Sequence, residues 1–211
     1  MKITELKPTR RDGRINVYLD GEYSFTVFEE FIYEYSLFPE NEISEELLPE
    51  IMAKDGRKYA KLKAFDHLSR GALTVSAMKK KLSDKGIAND IIEETVAYLI
   101  KNDYINDRTF AENAISVLHE TKGFGKNRIL QFFYEKGVPK DIATEVTEQY
   151  FEDCERPDVL GDLISELAPH YDLGDIKSRS KLIAKLTRLG YGYSEIKENL
   201  RNYTDNIDFE D

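Results

Sequence analysis

Three glycines about fifty residues apart mark an internal repeat, which constrains the fold of this chain more than any other feature. Gly86, Gly137 and Gly190 are separated by 51 and 53 residues. Mostly apolar residues stand eight and four positions before each glycine, and six, ten and thirteen positions after it. They are Met78, Leu82, Ile92, Val96 and Leu99; Ile129, Phe133, Ala143, Thr147 and Tyr150; and Leu182, Leu186, Ile196, Leu200 and Tyr203. Agreement at so many offsets indicates one structural unit used three times.

Each repeat is predicted to contain a helix, a turn that ends on the glycine, and a second helix. Residues four and seven apart share one face of a helix, so both sets of apolar positions predict buried helix faces. Glycine adopts the left-handed backbone conformation that ends a helix without the steric cost that other residues meet. Four residues after the glycines stand Asp90, Asp141 and Ser194, which are expected to cap the second helices.

One more helix is expected before each pair, which makes three helices per repeat. In the first repeat it should run from Ser44 to about Arg70, with Leu62, Phe65 and Leu68 facing inward. The corresponding markers are Phe110, Ala114, Val117 and Leu118 in the second repeat, and the residues from Leu160 to Leu167 in the third. Tandem units that contact mainly their neighbours build an elongated, often curved array, which suits a polymer or groove better than a small substrate.

The first 27 residues follow the alternation typical of β-strands. Apolar and polar residues alternate over 15–19 and again over 23–27, on either side of Asp20-Gly21, a strong hairpin signal. A strand from Lys2 to Lys7 and a turn around Asp12-Gly13 would make the sheet three-stranded.

The predicted fold class is therefore mainly α, with three tandem three-helix repeats in an elongated curved array. A small N-terminal antiparallel β-hairpin or three-stranded extension precedes them. The expected boundaries are 1–43 for the β extension with a short helix, then 44–105, 106–156 and 157–211 for the three repeats.

Composition limits the cellular setting. The single Cys154 allows no intramolecular disulfide, and no apolar run reaches the roughly 18 residues of a membrane span. The polar–apolar alternation that follows Met1 is unlike a secretory signal peptide. We therefore expect a soluble cytoplasmic protein with no membrane partner.

The net charge of −10 is distributed unevenly along the chain. Residues 54–88 carry 10 basic and 3 acidic side chains, residues 141–176 carry one basic and 11 acidic, and residues 177–201 carry 7 basic and 2 acidic. Local potentials therefore matter more than the total charge. Basic side chains on the middle helices, together with the nearby Arg70, are the candidate contacts for a phosphate backbone or an acidic protein, with a solvated helix face as the alternative. They are Arg70, Lys79, Lys80, Lys81, Lys85, Lys126, Arg128, Arg179, Lys181, Lys185 and Arg188.

Catalytic and metal-binding chemistry finds little support. His67, His119 and His170 lie about fifty residues apart without metal-type spacing, and are expected to be surface or helix-flanking histidines. The segment 123–127, Gly-Phe-Gly-Lys-Asn, lacks the remaining residues of a phosphate loop and is interpreted as a flexible link into the next helix. We expect no enzyme, no cofactor, no metal and no small-molecule substrate.

Several stretches together resemble the RecX family of recombination regulators. The most recognisable is residues 104–111, Tyr-Ile-Asn-Asp-Arg-Thr-Phe-Ala, in which Asn106 or Asp107 could cap the next helix. Around it stand Leu68-Ser69-Arg70, the segment from Met78 to Gly86, and residues 133–138. Residues 16–23, Asn-Val-Tyr-Leu-Asp-Gly-Glu-Tyr, resemble the β extension of longer, Gram-positive-type members. The likeness spans nearly the whole chain and is weakest in the third repeat.

The resemblance implies a regulator that binds RecA, lies in the groove of the RecA filament on single-stranded DNA, and inhibits its recombinase and ATPase activities. It implies no catalytic residues, allows contact with the single-stranded DNA inside the filament, and leaves a monomer as the expected state. From the residues alone, two other classes stay open. One is a helix–turn–helix-like DNA-binding protein that acts without RecA, and the other is a helical-repeat adaptor for another protein.

Overall fold

The three-dimensional structure is a computed structural model, and it describes residues 1–10, 13–152 and 157–207. Within these ranges no helix is long and apolar enough to cross a lipid bilayer. Cys154 and the acidic residues around it lie outside the described residues, as does Asp12 of the first predicted turn.

The N-terminal segment forms a three-stranded antiparallel sheet, as predicted. Strands β1 (Ile3–Pro8), β2 (Arg14–Leu19) and β3 (Glu22–Phe28) follow one another in the sheet in chain order. The turn between β2 and β3 has positive φ at both Asp20 (51°) and Gly21 (91°), which is the conformation that an Asp-Gly hairpin requires.

Ten helices account for most of the rest of the described chain. A short helix α1 (Glu29–Glu34) follows the sheet, and α2 (Leu48–Leu68) is the longest. The later helices are α3 (Val75–Ser83), α4 (Asn89–Lys101), α5 (Asp107–Ser116), α6 (Lys126–Glu135), α7 (Lys140–Glu152), α8 (Val159–Leu167), α9 (Ile176–Arg188) and α10 (Tyr193–Ile207). A π-helical turn, Val117–Thr121, extends α5.

The repeat predicted from the glycines is confirmed. Gly86, Gly137 and Gly190 have φ values of 73°, 74° and 96°, and each ends a middle helix. Of the apolar positions of the repeat, all are buried except Tyr150 and Tyr203, which are half-buried. The fold is therefore mainly α with tandem helix–turn–helix units and an N-terminal sheet, and the elongated arrangement stays a prediction.

The predicted helix caps are wrong by two residues. Helices α4, α7 and α10 begin before Asp90, Asp141 and Ser194, so these residues lie in the first turn rather than at the cap. Ala88, which has no side chain able to accept a hydrogen bond, is the N-cap of α4. The carboxylates of the first turns still interact favourably with the helix dipole.

Two of the three inward-facing assignments on α2 are also wrong, and one marker residue of the second repeat is exposed. Leu62 and Phe65 of α2 are exposed, because that helix packs through the small residues Ala60 and Ala64 instead. In the second repeat Val117 is exposed, because the π-helical turn shifts the register and buries the next residue, Leu118.

The described chain divides into two compact units. One consists of Met1–Gly71 with Met78–Tyr104, and the other of Ala72–Ala77 with Ile105–Asp211. In the first unit, α2 is tied to the sheet by a buried ion pair between Arg14 and Asp55, and Asp55 also accepts a hydrogen bond from the Phe28 amide at 2.8 Å. The domain boundaries at 105 and 156 stay predictions.

Within the second unit, the start of a middle helix twice contacts the glycine turn of the next repeat. The Thr74 hydroxyl donates to the Lys136 carbonyl at 2.6 Å, just before Gly137. The Gly125 amide donates to the Leu189 carbonyl at 2.8 Å, just before Gly190. Each donor stands twelve residues before the glycine of its own repeat, so the start of one middle helix satisfies the last carbonyls of the next.

Candidate functional site

Three of the basic side chains of the first repeat lie near His67. The cations of Lys81, Arg70 and Lys85 are close enough to disfavour a charge on that ring, although burial is the larger cause of its lowered pKa. The His67 Nε2 atom is buried and has no hydrogen-bond partner among the described residues. The structure therefore brings these three predicted contacts together around a histidine whose neutral form is favoured.

The three consecutive lysines do not share one role. Lys79 is half-buried and forms an ion pair with Glu93 at 2.7 Å, which joins α3 to α4. Lys80 is exposed, and Lys81 is half-buried. Since an ion pair already neutralises Lys79, Lys80 is the most accessible charge of the run.

The basic residues of the second repeat are largely engaged. Lys126 lies 3.9 Å from Glu148, and Arg128 donates to Gln131 at 2.8 Å and lies 3.7 Å from Glu135. The Arg128 backbone also stands against Gly190, where a Cβ on the glycine would collide with it. The charges of both side chains are therefore partly neutralised within the fold and are less available to a partner.

The third repeat presents the least neutralised cations. The predicted contacts here all lie on α9, and in the described part of the chain none of them forms an ion pair: they are Arg179, Lys181, Lys185 and Arg188. Lys181 and Arg188 line a concavity of about 700 Å³ together with the exposed Tyr193. We name these four residues, together with Tyr193, the α9 surface.

A second concavity, of about 500 Å³, adjoins the first on the same repeat. It is lined by Arg179 together with Lys197 and Arg201 of α10, and Asp205 is the one acidic lining residue among those that the structure describes. Sequence reasoning missed Lys197 and Arg201, although both lie in the basic stretch 177–201. They extend the positive potential of the α9 surface onto the next helix.

The histidine interpretation is wrong at one position. His119 is buried, its Nδ1 lies 2.8 Å from the Phe124 carbonyl oxygen, and its ring packs against Tyr150 and Phe151. It is a core histidine of the second repeat, where the π-helical turn carries it inward. No group of three or more His, Cys, Asp or Glu side chains in the described ranges is arranged to hold a metal ion.

The glycine-rich link before α6 is held firmly, contrary to the flexibility expected of it. Gly123 and Gly125 are buried. The Gly125 and Asn127 amides donate to the Leu189 and Gly190 carbonyls at 2.8 and 3.2 Å. Gly125 is needed here because two backbone segments approach closely: a Cβ on it would lie 2.7 Å from the Gly190 carbonyl carbon.

Each residue of the segment 105–107 has a structural task. Ile105 is buried, and Asn106 is the N-cap of α5, accepting from the amides of Arg108 and Thr109 at 3.0 and 3.2 Å. Asp107 accepts from the Val75 amide at 2.8 Å, and its burial raises the pKa of the carboxyl group. Of the two predicted caps of α5, Asn106 is therefore the correct one.

Comparison with known proteins places this architecture among RecX proteins. Family models match the chain in three places: the regulatory protein RecX N-terminal domain over residues 1–44, the RecX first three-helix domain over 60–99, and the RecX second three-helix domain over 106–146. The regulatory protein RecX of Clostridioides difficile is 32% identical over 154 residues, which is 72% of each chain. That of Clostridium acetobutylicum is 28% identical over 91% of each chain.

Two solved structures have a similar fold. A crystal structure of a regulatory protein RecX has a TM-score of 0.62 and 25% identity, covering 93% of this chain and 98% of the other. A crystal structure of RecX from Lactobacillus salivarius has a TM-score of 0.63 over 71% of this chain and 97% of the other, at 24% identity.

Proposed function

Since this chain belongs to the RecX family of regulatory proteins, we propose that it binds the filament that RecA forms on single-stranded DNA and inhibits the ATPase and recombinase activities of RecA. The regulator acts in the cytoplasm and has no catalytic activity of its own. In this way it modulates recombination, DNA repair and the SOS response.

The observation that carries the proposal is the α9 surface. Its Arg and Lys side chains are exposed except for the half-buried Lys185 and have no carboxylate partner in the ranges that the structure describes, so they are available to an acidic protein surface or a phosphate group. A cation that already forms an ion pair within the chain, as Lys79 does with Glu93, must break or share that pair before it can bind a partner. The α9 surface is therefore the primary contact, and Lys80, Lys81 and Lys85 form the secondary one, because Arg70, like Lys79, already forms an ion pair.

The repeat supports a polymeric partner. Helices α3 and α9 are the middle helices of the first and third repeats, and both carry basic side chains. Similar charges therefore recur along one chain. RecA filaments present the same subunit surface again and again, and two contacts on one chain raise avidity when both can engage.

The test compares two matched double variants of the full chain. Lys181→Gln with Arg188→Gln removes two charges of the α9 surface that form no ion pair in the ranges 1–10, 13–152 and 157–207. Lys2→Gln with Lys7→Gln removes two exposed charges that are already paired with Glu40 and Glu5. Binding to preassembled RecA filaments on single-stranded DNA is measured by co-sedimentation at fixed ionic strength.

We expect the α9 variant to bind filaments about tenfold more weakly, which corresponds to ~1.4 kcal/mol, and the control to bind like the wild type. Equal binding by both variants would show that the α9 surface is not the contact. A wild-type chain that does not bind filaments at all would contradict the proposed function itself.

A second candidate function is DNA binding without RecA, and the same unpaired cations on a helix–turn–helix unit favour it. In that case the wild type binds naked duplex with a steep dependence on salt, and RecA adds nothing to the affinity. Duplex binding in the same buffer as the filament assay separates the two functions.

A further inference from the structure

Three exposed aromatic rings form a continuous cluster where α2 and α4 pack together. Phe65, Tyr98 and Tyr104 are 37%, 37% and 51% exposed. The Phe65 and Tyr104 rings are perpendicular with centroids 5.0 Å apart, and the Tyr98 and Tyr104 rings are nearly parallel at 6.4 Å. We name these three residues the ring cluster. It leaves ring surface in water that a purely structural contact would bury.

A local turn fixes the position of Tyr104. Asp103 adopts a left-handed conformation with φ of 57°, and the Tyr104 amide donates to the Leu99 carbonyl at 2.9 Å. The chain therefore folds back at the end of α4 and places this ring beside Tyr98. The next three residues have structural roles: Ile105 is buried, Asn106 caps α5, and Asp107 accepts a hydrogen bond from Val75. The Tyr104 side chain, in contrast, is half exposed to solvent.

Cations border the ring cluster on both helices. The Lys61 ammonium lies 4.3 Å from the centre of the Tyr98 ring, a cation–π contact. Arg57, Lys61 and Phe65 stand four residues apart and so share one face of α2. On α4, Lys101 stands three residues after Tyr98 and is exposed.

The nearby carboxylates on these helices are already matched. Glu94, one turn before Tyr98, forms an ion pair with Arg57 at 2.7 Å. Asp66, next to Phe65, pairs with Arg70 at 2.9 Å. Lys61 and Lys101 form no ion pair among the described residues, so they are the cations available to a ligand at the ring cluster.

Exposed rings bordered by lysines match one class of ligand. Single-stranded nucleic acids offer unstacked bases, whose faces stack on aromatic side chains, and phosphates, which attract lysines. A duplex keeps its base faces covered, so it could satisfy the lysines but not the rings.

We infer that the ring cluster is a stacking platform for single-stranded nucleic acid, with Lys61 and Lys101 contacting the phosphates on either side. The platform is independent of base sequence, because every base presents a face that can stack. The inference goes beyond the proposed function, since it assigns affinity for a bare single strand to residues outside the α9 surface.

The first experiment uses a fluorescein-labelled oligothymidine and fluorescence anisotropy with the full chain. Tyr98→Leu with Tyr104→Leu keeps apolar side chains but removes both tyrosine rings. Tyr33→Leu, which removes a 65% exposed tyrosine of the same unit that packs on Phe38, is the control. We expect at least tenfold weaker binding by the double variant, since each stacked base contributes substantially to affinity, and no change in the control.

An abasic oligonucleotide of the same length separates stacking from charge. The wild type should bind this probe as weakly as the double variant binds oligothymidine, because the phosphates remain and the bases are gone. Lys61→Gln with Lys101→Gln retains the rings and should lower the slope of log affinity against log salt by about 1.4. This variant also tests the site if the tyrosine variant does not fold, which circular dichroism detects.

Three results would overturn the inference. They are a wild type without affinity for oligothymidine, equal affinity for the abasic probe, and unchanged binding by the tyrosine variant. If that variant binds oligothymidine normally but loses binding to RecA filaments, the rings contact protein instead, and the proposed function stands without the platform. If oligothymidine binding is lost but filament binding is retained, the platform and the filament contact are separate sites.

Discussion

Gly125 occupies a point in the fold where a side chain has no room. It has an ordinary φ of −78°, yet an added Cβ would lie 2.7–2.8 Å from backbone atoms of Gly190 and Tyr191. These are backbone atoms, which cannot rotate away as the end of a side chain can. The contact between α6 and the third repeat therefore depends on the absence of this one side chain.

We predict that Gly125→Ala lowers the free energy of unfolding by about 2 kcal/mol, through overpacking rather than backbone strain. Urea denaturation of the full chain measures this value. The matched control is Gly192→Ala, which also replaces a glycine just before a helix but would meet only Glu195 Oε2, at 3.9 Å. Equal losses in the two variants would contradict overpacking as the cause.

The buried carboxyl group of Asp107 makes stability depend on pH. Burial raises its pKa above 3.8, partly offset by the hydrogen bond from the Val75 amide. The folded protein therefore holds this proton more tightly than the unfolded chain, and the stability that the group contributes is lost as pH rises through its folded pKa.

We predict that Asp107→Asn, which retains an oxygen acceptor for the Val75 amide, gains stability relative to the wild type as pH rises from about 3 to about 7. Urea denaturation of both proteins over that range gives the difference. If the free energy of unfolding of Asp107→Asn, relative to that of the wild type, stayed constant or fell with rising pH, burial of the Asp107 carboxyl group would not be the cause.

At the level of residues, the sequence predicted the core well and the exposed residues poorly. Met78, Ile129 and Leu182 are fully buried as expected, because an apolar position that recurs in three repeats marks the face on which each helix packs. His119 and Phe65 were both misplaced, because the side on which a residue lies depends on the helix packed against it. That information is spread over distant parts of the chain.

Helix α5 begins with a cap whose contribution can be measured. The Asn106 side chain accepts from two amides of the first turn, which have no partner within the helix. We predict that Asn106→Ala costs about 1 kcal/mol of stability, and that Asn106→Asp retains most of it, because a carboxylate also accepts these bonds and interacts favourably with the helix dipole. Thermal and urea denaturation of the three proteins decide the matter; an alanine variant as stable as the wild type would exclude this role.

At the level of elements, most of the fold was predictable, and the exceptions have local causes. Alternation and the Asp-Gly turn predicted the sheet, and the repeat predicted the helix pairs. The π-helical turn Val117–Thr121 was not predictable, because it is a one-residue change in hydrogen bonding within an otherwise helical pattern. The start of α9 was not predictable from the repeat either. Helix α9 begins three residues further ahead of Gly190 than α6 begins ahead of Gly137.

At the level of the whole molecule, the distribution of charge was predictable but its availability was not. The sequence indicated basic stretches in the first and third repeats. It could not show that Lys79 and Arg128 lie beside carboxylates, whereas Lys181 and Arg188 form no ion pair within the described residues. Ion pairing depends on which helix faces meet. The strongest candidate surface therefore lies in the repeat where the family resemblance is weakest.

The central claim is that this chain is a regulator that acts on RecA filaments through protein contacts. Its most direct test is ATP hydrolysis by RecA on single-stranded DNA, titrated with this protein, with binding to naked duplex DNA followed in the same buffer. We predict inhibition at or below one chain per RecA subunit, at concentrations where naked duplex is not appreciably bound, and weaker inhibition by the α9 variant. Unchanged hydrolysis together with salt-sensitive binding to naked duplex would contradict the claim and favour a DNA-binding protein that acts without RecA.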